Sequence, residues 1–124
     1  MSKEFVSYDI ALAMKELGFD KKCFKSYQIV KAGLGGQEYI ELMDVAYDDF
    51  IDLCHAPLYQ QAFRWFREKG YHAGIIPRYD EFHYFIKDFV NDKEYDDVYN
   101  ISSYQEAELA CLKKLIEIVE IKQR

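Results

Sequence analysis

The run Arg67-Glu68-Lys69-Gly70-Tyr71-His72-Ala73-Gly74-Ile75-Ile76-Pro77-Arg78-Tyr79-Asp80, continued by Phe82-His83-Tyr84-Phe85-Ile86, decides the fold class. Upstream of it, Leu58, Ala62, Trp65 and Phe66 keep helical spacing, and Pro57 suits the first helical position because that residue needs no N–H donor. Gly70 then stops the helix from the left-handed C′ position, with Tyr71 placed to cover Phe66. Beyond Gly70 the pattern turns to β-branched and aromatic residues over 72–76 and 82–90, either side of Pro77-Arg78-Tyr79-Asp80, with Pro and Asp in turn roles. A helix that stops directly into a hairpin makes the chain α+β.

The same grammar occurs earlier. Ser7 is a candidate N-cap, Asp9 sits in the favourable first turn, and Ile10, Ala11, Met14 and Leu17 mark an apolar stripe. Gly18-Phe19 then repeats the Gly70-Tyr71 stop, with Phe19 expected to cover Met14. Residues 24–30 and 38–43 flank Gly33-Leu34-Gly35-Gly36 and predict a first hairpin. The pentads at 15–19 and 67–71 resemble one another, yet the surrounding segments do not align, so shared stop chemistry explains them better than duplication. The last helix is the clearest: Ser103-x-x-Glu106 is a capping box. Ala107, Leu109, Cys111, Leu112, Leu115, Ile116, Ile118 and Val119 fill about half its circumference opposite Lys113, Glu117 and Glu120. The expectation is one α+β domain over residues 1–124, in the order αββαββα, with about four mainly antiparallel strands packed by three helices.

Composition narrows the partners. The chain is acidic, with 16 Lys and Arg against 22 Asp and Glu, a net charge of −6 and a pI near 5.0. That balance opposes duplex nucleic acid. Three widely spaced cysteines, Cys23, Cys54 and Cys111, fit a reducing compartment better than a disulfide framework. Asp9 and Lys15 interrupt the start before any long apolar run, so neither a secretory leader nor a membrane span is expected, and the localisation read from these features is cytoplasmic.

Candidate chemistry is sparse. Cys54-His55 places a nucleophile beside a base, but neighbours in a chain usually point apart, and no third group orients the imidazole. Cys54, His55, His72 and His83 lack the close ligand pairs of structural zinc. Gly33, Gly35 and Gly36 miss both phosphate-loop patterns, since Glu stands at 38 and no Gly-Lys-Ser/Thr follows. Two acidic groups, Asp44, Asp48, Asp49 and Asp52, then Asp92, Glu94, Asp96 and Asp97, do not match a calcium-binding loop and read as solvated connections. The residues therefore predict a non-enzymatic protein with no cofactor and no metal.

The feature with functional content is the aromatic excess: eleven Tyr, nine Phe and one Trp in 124 residues. Tyr59 and Phe63 form an i,i+4 pair at the edge of the second helix's apolar arc, with Gln60, Arg64 and Arg67 beyond them. Tyr27, Tyr39 and His83 alternate with their neighbours in the expected strands. Rings and arginines on one surface point to recognition of a protein partner, including a second copy of this chain, since both combine contact area with a polar handle. The alternative is a small, nucleotide-like ligand stacked on rings, with Arg64, Arg67 or Arg78 on its phosphate.

The run Ala56-Pro57-Leu58-Tyr59-Gln60-Gln61-Ala62-Phe63-Arg64-Trp65-Phe66-Arg67-Glu68-Lys69 carries a resemblance, together with Glu4-Phe5-Val6, Lys15-Glu16-Leu17-Gly18-Phe19-Asp20 and Tyr104-Gln105-Glu106-Ala107-Glu108-Leu109-Ala110-Cys111-Leu112. These stretches resemble a family of short, functionally uncharacterised proteins found in bacteriophage and mobile-element genomes. They cover all three predicted helices and leave 25–52 unmatched. The resemblance implies a genomic setting and transfers no catalytic residue.

Overall fold

The computed structural model describes residues 4–31, 33, 35–45, 52–96 and 101–123. Helix α1 spans Tyr8–Glu16, β1 Lys25–Lys31, β2 Glu38–Asp44, β3 Asp52–Ala56, α2 Tyr59–Glu68, β4 Tyr71–Arg78, β5 Glu81–Asp88, β6 Lys93–Asp96 and α3 Tyr104–Gln123. The chain divides into two compact units, Met1–Leu58 and Tyr59–Arg124, and each holds one three-stranded antiparallel sheet.

In the first unit, the backbone of Ser7 is extended and its carbonyl accepts the first helical bond, from the Ala11 N–H at 2.9 Å. Its hydroxyl donates to the Asp9 carboxylate instead of capping an N–H. The helix ends as predicted: Gly18 has φ +106°, its N–H donates to the Lys15 carbonyl at 3.0 Å, and the Phe19 N–H donates to Met14 at 2.9 Å. Those two bonds define a Schellman stop, with Met14 and Phe19 both buried. The sheet order is β2-β1-β3. The β1–β2 hairpin pairs from Lys25↔Asp44 to Lys31↔Glu38, which puts the glycine run at its tip. Lys15 ties α1 to β3 by donating to the Leu53 carbonyl at 2.6 Å.

In the second unit, α2 begins at Tyr59, two residues after Pro57. Pro57, which belongs to the first unit, instead offers its carbonyl to the Val6 N–H at 3.0 Å, and its neighbour Leu58 bridges Phe5, both contacts lying within that first unit. Gly70, at φ +100°, closes α2 with a 3.0 Å bond to the Arg67 carbonyl and passes the chain into β4. Strands β4 and β5 pair without a break from Tyr71↔Asp88 to Arg78↔Glu81, leaving a two-residue turn of Tyr79 and Asp80. Pro77 therefore lies within β4, opposite Phe82, and not in the turn; β4 is an edge strand, where a residue without an N–H is tolerated. At the start of α3, the Ser103 hydroxyl oxygen accepts the Glu106 N–H at 3.1 Å, while the Glu106 carboxylate accepts from Ser102, not Ser103. The predicted apolar arc is buried from Ala107 to Val119, Leu109 being half-buried, and Lys113, Glu117 and Glu120 are exposed. α3 packs on β4 and β5 and touches α2.

The α+β class stands, but the order is αβββαβββα with six strands, not four. The two extra strands, β3 and β6, fall where a linker and an acidic connection were expected. Lys93-Glu94-Tyr95-Asp96 has little intrinsic β preference, so its conformation comes from pairing with Phe85, Ile86, Lys87 and Asp88 of β5. The order β2-β1-β3 places the first strand of its unit in the centre, whereas β4-β5-β6 places the second there. The units are therefore not topological copies, and their similar helix stops reflect common stop chemistry.

Candidate functional site

Alternation along β4 and β5 separates two faces of the second sheet. One carries Tyr71, Ile86 and Asp88, and α3 covers it: Lys122 lies 4.8 Å above the Tyr71 ring and Lys114 5.8 Å from that of Tyr95. Asp88 is fully buried beneath it. Burial alone would raise the Asp88 carboxyl. Hydrogen bonds from Lys122, from the Asn91 side chain and from the Asn91 and Val90 N–H groups outweigh that and hold it at about 2.

The opposite face carries His72, Gly74 and Ile76 from β4 and His83, Phe85 and Lys87 from β5. Gly74 stands opposite Phe85, and a Cβ there would come within 2.6 Å of the Phe85 ring, so the missing side chain is what lets the ring lie across the strand. Phe89 meets His72 edge-on at 4.8 Å. Lys87 donates to Asp92 at 3.2 Å and Glu94 at 3.3 Å, bonds that raise its pKa. Together His72, Phe85, Lys87, Phe89 and Glu94 frame a hollow of about 430 Å³. Ile76, Phe85 and Phe89 are 46%, 37% and 61% exposed.

A smaller hollow, about 210 Å³, opens between α2, α3 and β4 and is lined by Gln60, Phe63, Arg67, Tyr104 and Glu108 over residues 73–75. Glu108 is half-buried, and that burial pushes its pKa up.

The residues singled out from the sequence separate into different settings. Phe63 and Arg67 share the smaller hollow; Arg64 is exposed on α2 and Tyr59 is half-buried at its start. His83 stands on the outer sheet face, its Nε2 3.7 Å from the Glu81 carboxylate. Tyr39 is exposed on β2. Tyr27 is drawn into packing, its hydroxyl donating to the Val6 carbonyl at 2.6 Å and its ring edge-on to Tyr8. Sequence reasoning placed Gln60 beside Arg67 on α2 but missed Phe89, Tyr104 and Glu108. Only the tertiary fold brings Tyr104 and Glu108 beside Arg67, although the Gly74/Phe85 pairing could have been sought once the hairpin register was drawn.

Cys54 and His55 are consecutive on β3 and so point to opposite faces. The His55 Nδ1 accepts the Cys23 N–H at 3.3 Å, Cys54 is buried, and burial pushes the Cys23 thiol up to about 11. Neither thiol has the character of a nucleophile. Among the described residues no group of three or more His, Cys, Asp or Glu side chains is placed to hold a metal ion, and no helix is long and apolar enough to cross a membrane. Asp48, Asp49 and Asp97 lie outside the described residues. No protein-family model, curated protein or solved structure matches the chain.

Proposed function

We propose that this chain is a non-enzymatic accessory protein that binds a protein partner through the uncovered face of β4-β5-β6. The observation that carries the reading is the exposure of Ile76 and Phe85 on a sheet face whose other side is already packed by α3, continued past the end of β5 by Phe89, which shares the larger hollow with Phe85. The part of these side chains still in contact with water adds nothing to the stability of their own unit, and recovers about 25 cal/mol per Å² when a partner covers it. Exposed carboxylates of Asp92 and Glu94 rim the patch, so the partner presents apolar groups bordered by Lys or Arg. An accessory role also suits the resemblance to short phage and mobile-element proteins.

The test is substitution of exposed residues: Phe89→Asp and Ile76→Asp should abolish capture of a defined partner from host lysate, or self-association measured by light scattering, while the melting temperature stays close to wild type. Retained association in both folded variants would refute the assignment of this face. A nucleotide-like ligand is the second reading, favoured by the volume and aromatic walls of the larger hollow. Its phosphate would have to approach Lys87, whose charge already faces two carboxylates. A thermal-shift panel of nucleotides separates the readings, because a ligand at about 100 times its Kd adds roughly 2.7 kcal/mol.

A further inference from the structure

Two side chains of opposite charge line the smaller hollow without satisfying one another. Neither the Arg67 guanidinium nor the Glu108 carboxylate has an ion-pair or hydrogen-bond partner among the described residues, although both border the same 210 Å³ space. Arg67 is exposed in the last turn of α2, and Glu108 is half-buried in the first turns of α3. A carboxylate partly withdrawn from water is in a costly state that an incoming cation relieves, and the raised pKa of Glu108 is the signature of that state. A guanidinium is the side chain best shaped to hold a carboxylate through two parallel bonds. Phe63 and Tyr104 supply aromatic walls, and Tyr104 is fixed edge-on against Phe82 at 6.0 Å. The Gln60 amide adds one neutral donor and acceptor at the rim.

We propose that this hollow binds a free α-amino acid, its carboxylate held by Arg67 and its ammonium group by Glu108, with its side chain against Phe63 and Tyr104. The volume corresponds to about seven waters, below the roughly 300 Å³ at which sites for larger ligands begin, so a nucleotide does not fit. A phosphate is repelled by Glu108, and a single carboxylate is too few ligands for a divalent cation. A peptide terminus brings only one of the two charges. The site lies on the helical side of the second unit and does not depend on the protein-binding face proposed above.

The probes are the twenty free amino acids, titrated into the full isotope-labelled chain with backbone amide shifts as readout. At least one should bind tighter than about 10 mM, with shifts centred on Gln60, Arg67 and Glu108. Its Nα-acetyl derivative and its methyl ester should each bind at least about tenfold more weakly, since each loses one charge-assisted contact. Glu108→Gln should abolish the discrimination against the acetylated form, and Arg67→Gln that against the ester, with both variants folded by their spectra. The proposal is overturned if no amino acid binds in that range, or if the blocked derivatives bind as well as the free one. It is overturned too if a double-mutant cycle on stability shows Arg67 and Glu108 already coupled directly to each other.

Discussion

Asp88→Asn removes one negative charge from the floor of the second unit while keeping the side chain's shape. In the native protein the fully buried Asp88 carboxylate accepts from Lys122 at 2.6 Å, the Asn91 side chain at 3.0 Å, and the Val90 and Asn91 N–H groups at 3.0 and 3.1 Å. An amide oxygen can still accept the two backbone bonds, so the loss is concentrated on Lys122 and on charge assistance. The carboxyl pKa falls from 3.8 to about 2 on folding, which corresponds to about 2 kcal/mol of linkage. Because the folded-state pKa is the lower one, that stability is present above the unfolded value and lost as the pH falls from about 5 towards 2. Lys122 is one-third exposed and can turn into water, which keeps the cost below the roughly 3–5 kcal/mol of breaking a wholly buried pair. Urea unfolding near pH 7 should therefore show the variant about 2 kcal/mol less stable, with the deficit shrinking towards zero near pH 2. A deficit that stayed constant across that window would refute the reasoning, because the effect would then come from packing and not from the charge.

Tyr79 holds φ +58° in the two-residue β4–β5 turn and is fully exposed, so Tyr79→Gly should raise stability by about 1 kcal/mol, measured as a higher melting temperature. Gly18→Ala and Gly70→Ala both place a Cβ at positive φ, but only at Gly70 does it meet a neighbour, Val90 Cγ2 at 2.7 Å. The Gly70 variant should therefore be the less stable of the two, by about 1 kcal/mol or more in the same unfolding assay. Leu112, fully buried on α3, should lose about 2–5 kcal/mol on replacement by Ala, read from the urea midpoint at unchanged slope. With the Cys23 thiol at about 11 and Cys54 and Cys111 buried, native protein at neutral pH should react with a thiol reagent far more slowly than the urea-unfolded chain.

Local chemistry alone determined the elements whose signals are complete within a few residues. Gly18 and Gly70 end helices because only glycine takes the left-handed position without strain, and the 3.6-residue stripe of α3 names its buried side regardless of what covers it. Tertiary structure decided β3 and β6, whose short charged or mixed sequences become strands only when β1 and β5 offer their free edges. It also decided what became of the rings. Tyr27 was taken into packing by Val6 and Tyr8, while Phe85 and Phe89 stayed in water on the sheet face opposite α3. Both candidate sites depend on that second kind of information: Arg67 and Glu108, like Phe85 and Glu94, are neighbours through strand register and helix packing, and the pairing of distant segments leaves no periodic trace in either segment by itself.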